Sequence, residues 1–435
     1  MSLTKDFSKQ LYDRLMTDYD NSLSESGING ERLAMRLAML SEVGLTAEGG
    51  SSRMGFSKEE RAAKELVKTW MKEAGLDVRE DGAGNIFGRL QGQEKDSQVV
   101  MSGSHVDTVP NGGHFDGTLG VLTALEVVEA WRETGYQPNK TFEVAIFTDE
   151  EGSRFNGGFS GSAAMLGDVE RDEQVALKDV YGQSFQQVLE DDGLTVDGYF
   201  SSTRNKEEIA AFVEVHIEQG KQLEKKDLPV GVVTGIAGPS WLEVTFLGEA
   251  GHAGNTPMND RSDALIAASQ FIAQIESLPR ETSPTAVATI GKMQVHPNGI
   301  NVIPGKVTLT VDIRDIHEET RDLLIDKIVE LGKRIAEERS VGINFHENIR
   351  IKPVPISFKM QGKVMKAVEE EALSAHLLPS GAGHDSMIIG RHIPVAMLFA
   401  RSKDGISHNP KEWTALNDCV VAAKVLKNLI EDLTR

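Results

Sequence analysis

The chain has a single cysteine, Cys419, among 435 residues. One thiol cannot close an intrachain disulfide, so no disulfide framework holds the fold, and a reducing cytosol suits it. Long apolar runs are missing as well: nothing approaches the roughly 18 consecutive apolar residues of a membrane span. Met1 to Leu15 alternates charged and apolar residues and lacks the apolar centre of a secretory signal, so a cytoplasmic location is expected. Positive charge is scarce, with 46 Lys and Arg against 66 Asp and Glu, a formal charge of -20. That excludes a smooth basic face for nucleic acid. An anionic substrate would need positive charge supplied locally, by metal ions or by placed Arg and His. Low-complexity tracts are absent too, since the 42 glycines and 14 prolines are spread along the chain.

What remains is a soluble, globular composition, 40% hydrophobic and 26% charged. Its length exceeds one ordinary core and predicts two domains, one interrupting the other. Residues 8–42 read as mostly helical. Ser57 followed by Glu60 reads as a capping box opening a helix through Lys72. Gly84–Leu90, Val99–Met101 and Phe142–Phe147 read as strands, and Gly120–Trp131 carries apolar residues at helical spacing. This strand–loop–helix–strand order is typical of α/β proteins. The polar residues of interest follow the carboxyl ends of those strands, where open α/β sheets bind ligands.

A second unit begins near Gln222. Strands are predicted at Val230–Thr234, Leu242–Leu247, Val287–Ile290, Val307–Ile313 and Gly342–Phe345, with helices at Ser262–Leu278 and Glu318–Arg339. α/β character then returns, with helices at Gln361–His376 and Leu416–Leu433 around a strand at Val395–Phe399. The expected fold is therefore α/β: a catalytic domain with a mixed, mainly parallel sheet, built from residues 1–221 and 347–435. A smaller α+β domain with one open sheet face is inserted at 222–346.

Four strings carry chemistry. The first runs from Gly103 to Gly117 and contains His105, Asp107 and Asp116 among glycines. His105 can bind a borderline metal through one ring nitrogen while Asp107 accepts the other N–H, fixing the tautomer. The second is Glu150-Glu151, at the end of an apolar strand. Two adjacent, partly buried carboxylates repel. A metal relieves one, and the other can then serve as a base toward activated water. The third and fourth place His216 in the alternating stretch 213–220 and His408 in the loop 405–410. Taken singly, each is an ordinary polar residue in a turn or strand. Together, three His, one Asp and one Glu suit two metals sharing a carboxylate, and imidazole with carboxylate favours zinc, manganese, cobalt or nickel.

The strings GSHVDTVPNGGHFDG, FTDEEGSRF, EVHIEQG, GHAGNTPM, GINVIPG and GISHNP resemble the M20 metallopeptidase family, in its amidase or hydantoinase/carbamoylase branch. That branch holds N-carbamoyl-L-amino-acid hydrolases, allantoate amidohydrolases and β-ureidopropionases. The resemblance runs from about residue 30 to the C-terminus. It implies two divalent metal ions per subunit, with His105 and His216 on one, Glu151 and His408 on the other, and Asp116 bridging. Glu150 is implied as general base and Asp107 as the residue orienting His105. His252 is implied as the lid-domain histidine that stabilises the tetrahedral oxyanion. Asn301 and Arg314 are implied as holding the substrate carboxylate, with Gln219 and the Gly383 backbone as further substrate contacts. Read without the resemblance, Arg314 is a sheet-surface partner of Asp312 or Asp315.

The implied reaction is hydrolysis of the ureido C–N bond of an N-carbamoyl-L-amino acid to the amino acid, carbon dioxide and ammonia. Allantoate is the alternative substrate, since it also carries a ureido group next to a carboxylate. β-Ureidopropionase activity and a catalytically inactive metal-binding relative are further alternatives. The implied assembly is a homodimer through the inserted domain.

Overall fold

Four parallel strands carry the larger of two units: Phe142–Phe147, Val99–His105, Ile209–Ile217 and Val395–Ala400, in that spatial order. The structure, a computed structural model, describes residues 2–95 and 97–435. Position 1, where the expected first domain begins, lies outside the described residues. The strand sequences are apolar at successive positions, the pattern of parallel strands covered on both faces. Every residue of Val99–His105, Phe142–Phe147 and Val395–Ala400 is buried. Antiparallel strands extend the sheet at each end. Ile86–Leu90 and Asp77–Glu80 lie beyond Phe142–Phe147, and Val230–Ile236 lies beside Val395–Ala400. The result is the mixed, mainly parallel α/β sheet that the residue pattern predicts.

The helix Thr118–Thr134 packs on Val99–His105 and Ile209–Ile217, and Leu416–Leu433 packs on that helix in turn. Thr118 through Trp131 are all buried, so this helix is enclosed rather than amphipathic. Its approach to the sheet depends on Gly120, where an added Cβ would lie 2.3 Å from the carbonyl oxygen of Val215. Ser57 caps the helix Lys58–Glu73 by accepting the Glu60 amide at 3.1 Å. The reciprocal half of the expected capping box is missing. The Glu60 carboxylate turns instead to the Phe56 amide and to the buried Lys64, 2.7 Å away.

Two features escape the pattern. Asp77–Glu80 is a polar, mostly exposed edge strand with no apolar signal. Short helices between Ser160 and Phe200 gather around an aromatic cluster of Phe56, Phe155, Phe185 and Tyr199, whose members are too far apart in sequence to show a period.

The second unit comprises Gly235–Pro355 with the segment Pro379–Gly383. Its four-stranded antiparallel sheet runs in the order Gly342–Arg350, Gly238–Leu247, Lys306–Asp315, Val287–His296. Burial alternates along Lys306–Asp315 with period two, as a half-covered sheet requires. The covered face presents Leu242, Val244, Phe246, Val307, Leu309, Val311 and Ile313 to a core shared with the helices Ala264–Ile275 and Glu318–Glu338.

Both expected borders of the insertion move. Residues 222–234 stay with the larger unit, because Val230, Gly231 and Val232 pair with Ala400, Phe399 and Leu398. Residues 347–355 stay with the smaller one, because Glu347, Ile349 and Arg350 still pair with Leu242, Trp241 and Ser240. Among the described residues, no helix is long and apolar enough to cross a membrane.

Replacing Gly120 with Ala forces the enclosed helix off its strand and is expected to cost about 1–3 kcal/mol, the usual penalty of overpacking a filled core. Urea denaturation followed by circular dichroism measures it; unchanged stability would refute the close-approach account.

Candidate metal centre

Four strand ends meet at one edge of the larger sheet. His105 closes the strand Val99–His105 and lies level with Phe147, the last residue of its neighbour, so Glu150 and Glu151 follow on the same edge. His216 pairs with Phe399 one strand further on, and the loop beyond Ala400 carries His408. Parallel strands bring all these loops to their shared carboxyl edge. Asp116 arrives from the loop before the helix Thr118–Thr134. The intervening Gly117 has φ +62° and sits against the His105 ring, where a Cβ would come within 2.4 Å. A side chain at that position is excluded twice over.

Asp116 stands at the middle and is buried. Its Oδ1 lies 3.1 Å from His216 Nε2 and 3.5 Å from His105 Nε2. Its Oδ2 lies 3.5 Å from His408 Nε2, and that nitrogen is 3.4 Å from Glu151 Oε2. Two sets of ligand atoms therefore share one carboxylate: His105, Asp116 and His216, then Asp116, Glu151 and His408. The Nδ1 atoms of His105 and His216 each lie 3.0 Å from a main-chain carbonyl, of Asp107 and Ile217 respectively. A carbonyl only accepts, so each Nδ1 carries a proton and each Nε2 faces Asp116, where it can ligate a cation. His105 Nε2 is buried with no hydrogen-bond partner. A buried ring nitrogen without a hydrogen-bond partner, beside a buried carboxylate, fits a divalent cation.

The electrostatics agree. Burial pushes Glu150 well above the ordinary carboxylate range; His105 opposes this, and Asp385, Glu151 and Asp107 add to it. Burial and the charge of Asp116 raise Glu151 to about 7. Burial alone would lower His105, but Glu150, Asp107 and Asp116 outweigh it and raise the imidazole well above its ordinary value. His408 is raised to about 9, chiefly by its contact with Asp116. Without metal, the cluster relieves its own repulsion by holding protons. Divalent cations would take their place.

Asp107 reaches His105 mainly through its backbone carbonyl; its carboxylate Oδ1 is 3.4 Å from the same ring nitrogen. That carboxylate accepts the amides of Glu150 at 3.2 Å and Glu151 at 3.1 Å, which ties the first string to the second. Glu150 Oε2 lies 3.5 Å from His105 Nε2. Gln219, expected at the substrate, donates here to Asp116 Oδ2 at 2.8 Å and to Ser407 Oγ at 3.1 Å. Two participants were not foreseen. The Ser407 hydroxyl lies 2.7 Å from Asp116 Oδ2 and 2.9 Å from Glu412 Oε2, and its single proton serves one of them at a time. Glu412 Oε1 accepts the amides of Phe115 and Asp116. Glu412 stands four positions after His408 in an ordinary polar loop, and no local pattern marks it.

His252, Asn301, Arg314 and Gly383 belong to the smaller unit. There His252 pairs with Val302, and the Ala253 amide donates to the Asn301 carbonyl at 3.0 Å, so His252 and Asn301 come together. His252 Nδ1 accepts the amides of Gly254 and Asn255, each at 3.1 Å, which leaves the ring proton on Nε2. Arg314 grips Asp312 through Nε and Nη2 at 2.9 and 2.8 Å, as its residue-only reading expects, and its Nη1 donates to the Gly381 carbonyl at 2.7 Å.

The sequence model of Peptidase family M20/M25/M40 matches residues 101–432. An N-carbamoyl-L-amino acid amidohydrolase of Geobacillus stearothermophilus is 44% identical over 408 residues, covering 94% of this chain and 99% of the relative. An allantoate amidohydrolase of Bacillus subtilis is 38% identical over 394 residues, 91% of this chain and 95% of the relative. Among solved structures, an amidase of the hydantoinase/carbamoylase family from Burkholderia multivorans superposes with a TM-score of 0.87 at 34% identity, covering 94% and 98% of the two chains.

A buried histidine on the loop that carries Asp116 is expected to weaken the fold in acid. His114 is buried, with Nδ1 3.0 Å from Ser51 Oγ and Nε2 3.0 Å from the Gly49 carbonyl, and burial lowers its pKa from 6.5 to about 4. The folded state favours the neutral ring. Its contribution is whole above about pH 6.5 and is lost as pH falls toward 4, on the order of 3 kcal/mol. Urea denaturation of the metal-free protein across this window should show a steeper loss for wild type than for His114→Gln. Parallel curves would contradict it.

Proposed function

The chain belongs to Peptidase family M20/M25/M40, and from that premise we propose that it cleaves the ureido C–N bond of an N-carbamoyl-L-amino acid, giving the amino acid, carbon dioxide and ammonia. It is a hydrolase of carbon–nitrogen bonds other than peptide bonds, and it binds divalent metal. The two-metal part of this reading is carried by Asp116, set between two groups of His and carboxylate ligands with one oxygen toward each, and the choice of substrate is supported by the 44% identity to the Geobacillus stearothermophilus relative. We assign His105, Asp116 and His216 to one metal, and Asp116, Glu151 and His408 to the other. Zinc, manganese, cobalt and nickel all suit such ligands. When bound, such ions polarise the scissile carbonyl and lower the pKa of water.

The remaining steps belong to this chain's side chains. Glu150 takes a proton from the attacking water and delivers it to the departing nitrogen, a role that suits a buried carboxylate beside the ligand set. His252, with its proton on Nε2, supplies a donor for the developing oxyanion. Arg314 has one N–H left on each Nη after Asp312 and Gly381 take theirs, enough for a substrate carboxylate, with Asn301 as a second donor. Gln219 and the Gly383 backbone complete the contacts. Asp107 holds His105 and the Glu150 amide in register.

A homodimer through the smaller unit is part of the reading, supported by the exposed Trp241, Val287 and Met293 on its sheet strands. A cytosolic location suits the buried, unpaired Cys419.

Ammonia release from the manganese-loaded protein tests the substrate class, with N-carbamoyl-L-amino acids, N-carbamoyl-β-alanine, allantoate and N-acetyl amino acids compared. Release is expected from N-carbamoyl-L-amino acids. A preference for allantoate would move the assignment to the other group of relatives, and no release from any ureido compound would sink it. Glu150→Gln is expected to keep its metal and lose turnover by about 10²–10⁴-fold; near-normal turnover would remove Glu150 from the role of base.

A further inference from the structure

Glu412 is 2% exposed and, among the described residues, has no cation within ion-pair distance. A buried carboxyl group without a counter-ion is held by hydrogen bonds or takes up a proton. Its partners are unusual in where they lie. Oε1 accepts the amides of Phe115 at 2.8 Å and Asp116 at 3.1 Å. Oε2 lies 2.9 Å from Ser407 Oγ, and the same hydroxyl lies 2.7 Å from Asp116 Oδ2, so it bridges the two carboxyl groups. The backbone and the side chain of Asp116 are therefore both tied to one carboxylate, directly at one end and through Ser407 at the other. Ser407 also precedes His408, so the ring of bonds joins two loops that supply ligands from opposite ends of the chain.

The packing leaves room for this and for little else. At Gly113 an added Cβ would stand 2.0 Å from Glu412 Oε1. The glycine has no backbone angle that demands it; the space for the Glu412 carboxylate does.

Resting on the metal-centre reading above, we propose that Glu412 is a positioning residue that fixes how Asp116 presents its carboxylate to the two metals. Its hold on the loop sets the Asp116 main chain, and Ser407 fixes the rotation of the side chain about it. Glu412 belongs to neither set of candidate ligands. Its effect is on how tightly the set of Asp116, Glu151 and His408 closes.

The test is binding, read by calorimetric titration of the metal-free protein with Mn²⁺ and by the visible absorption of the Co²⁺-loaded protein. Glu412→Ala is expected to weaken one of two binding events by about 10–100-fold, the usual effect of removing a residue that holds a ligand in place, and to alter the cobalt spectrum. Gly113→Ala, whose methyl takes the carboxylate's space, should do the same. Glu412→Gln should stay close to wild type, since its amide oxygen can accept both N–H groups and its NH₂ can donate to Ser407. If Glu412→Ala does not fold, Ser407→Ala, which removes only the hydroxyl between the two carboxylates, carries the test. Wild-type affinity and spectrum in a folded Glu412→Ala or Ser407→Ala would overturn the proposal. Failure of the wild-type chain to bind Mn²⁺ or Co²⁺ would instead overturn the metal-centre reading beneath it.

Discussion

A buried carboxylate shared by three imidazoles has few stable solutions. Asp116 faces His105 and His216 with one oxygen and His408 with the other. Burial raises the cost of its charge, yet the neighbouring histidines hold its pKa well below the ordinary range. Every other feature of the centre follows from keeping that carboxylate in one orientation. The two ring nitrogens of His105 and His216 that face away donate to main-chain carbonyls. Gly117 clears the His105 ring, and Gln219 and Ser407 cover the second oxygen. Position and charge are one problem here, because a misdirected Asp116 would leave two cations without a common ligand.

The parallel sheet supplies the rigidity. Four strands deliver their loops to one edge, and all but Ala210 of their residues are buried, so the loops start from fixed points. Asp107 links the His105 loop to the Glu150–Glu151 loop through two amides. Glu412 links the Asp116 loop to the His408 loop in the same manner, with a carboxylate accepting main-chain N–H groups. Two buried acids thus act as staples between ligand-bearing segments. Both accept main-chain N–H groups, which carry no charge of their own.

Much of this was readable in the residues. Two of the parallel strands read as short apolar runs followed by Ser, Gly or Thr, with His105, Asp116 and Glu151 close behind them, while His216 stands within an alternating stretch and His408 in the loop after Val395–Phe399. Those five come together as two sets of three that share Asp116. The domain borders were less legible. Val230–Ile236 looks like the first strand of the insertion, yet its pairing with Val395–Ala400 depends on a strand more than 150 residues later, invisible to any local pattern. Glu60 made a convincing capping residue until Lys64 and the Phe56 amide competed for its carboxylate. Ser407 and Glu412 escaped for the same reason as the border: what matters about them is which distant main chain they meet.

The central claim, that one carboxylate serves two cation sites, is tested most directly by counting metal. Equilibrium dialysis of the metal-free protein against Mn²⁺ should give two ions per chain for wild type, one each for His216→Ala and His408→Ala, and loss of tight binding at both sites for Asp116→Ala. An Asp116→Ala protein that still holds one ion at wild-type affinity would contradict the account.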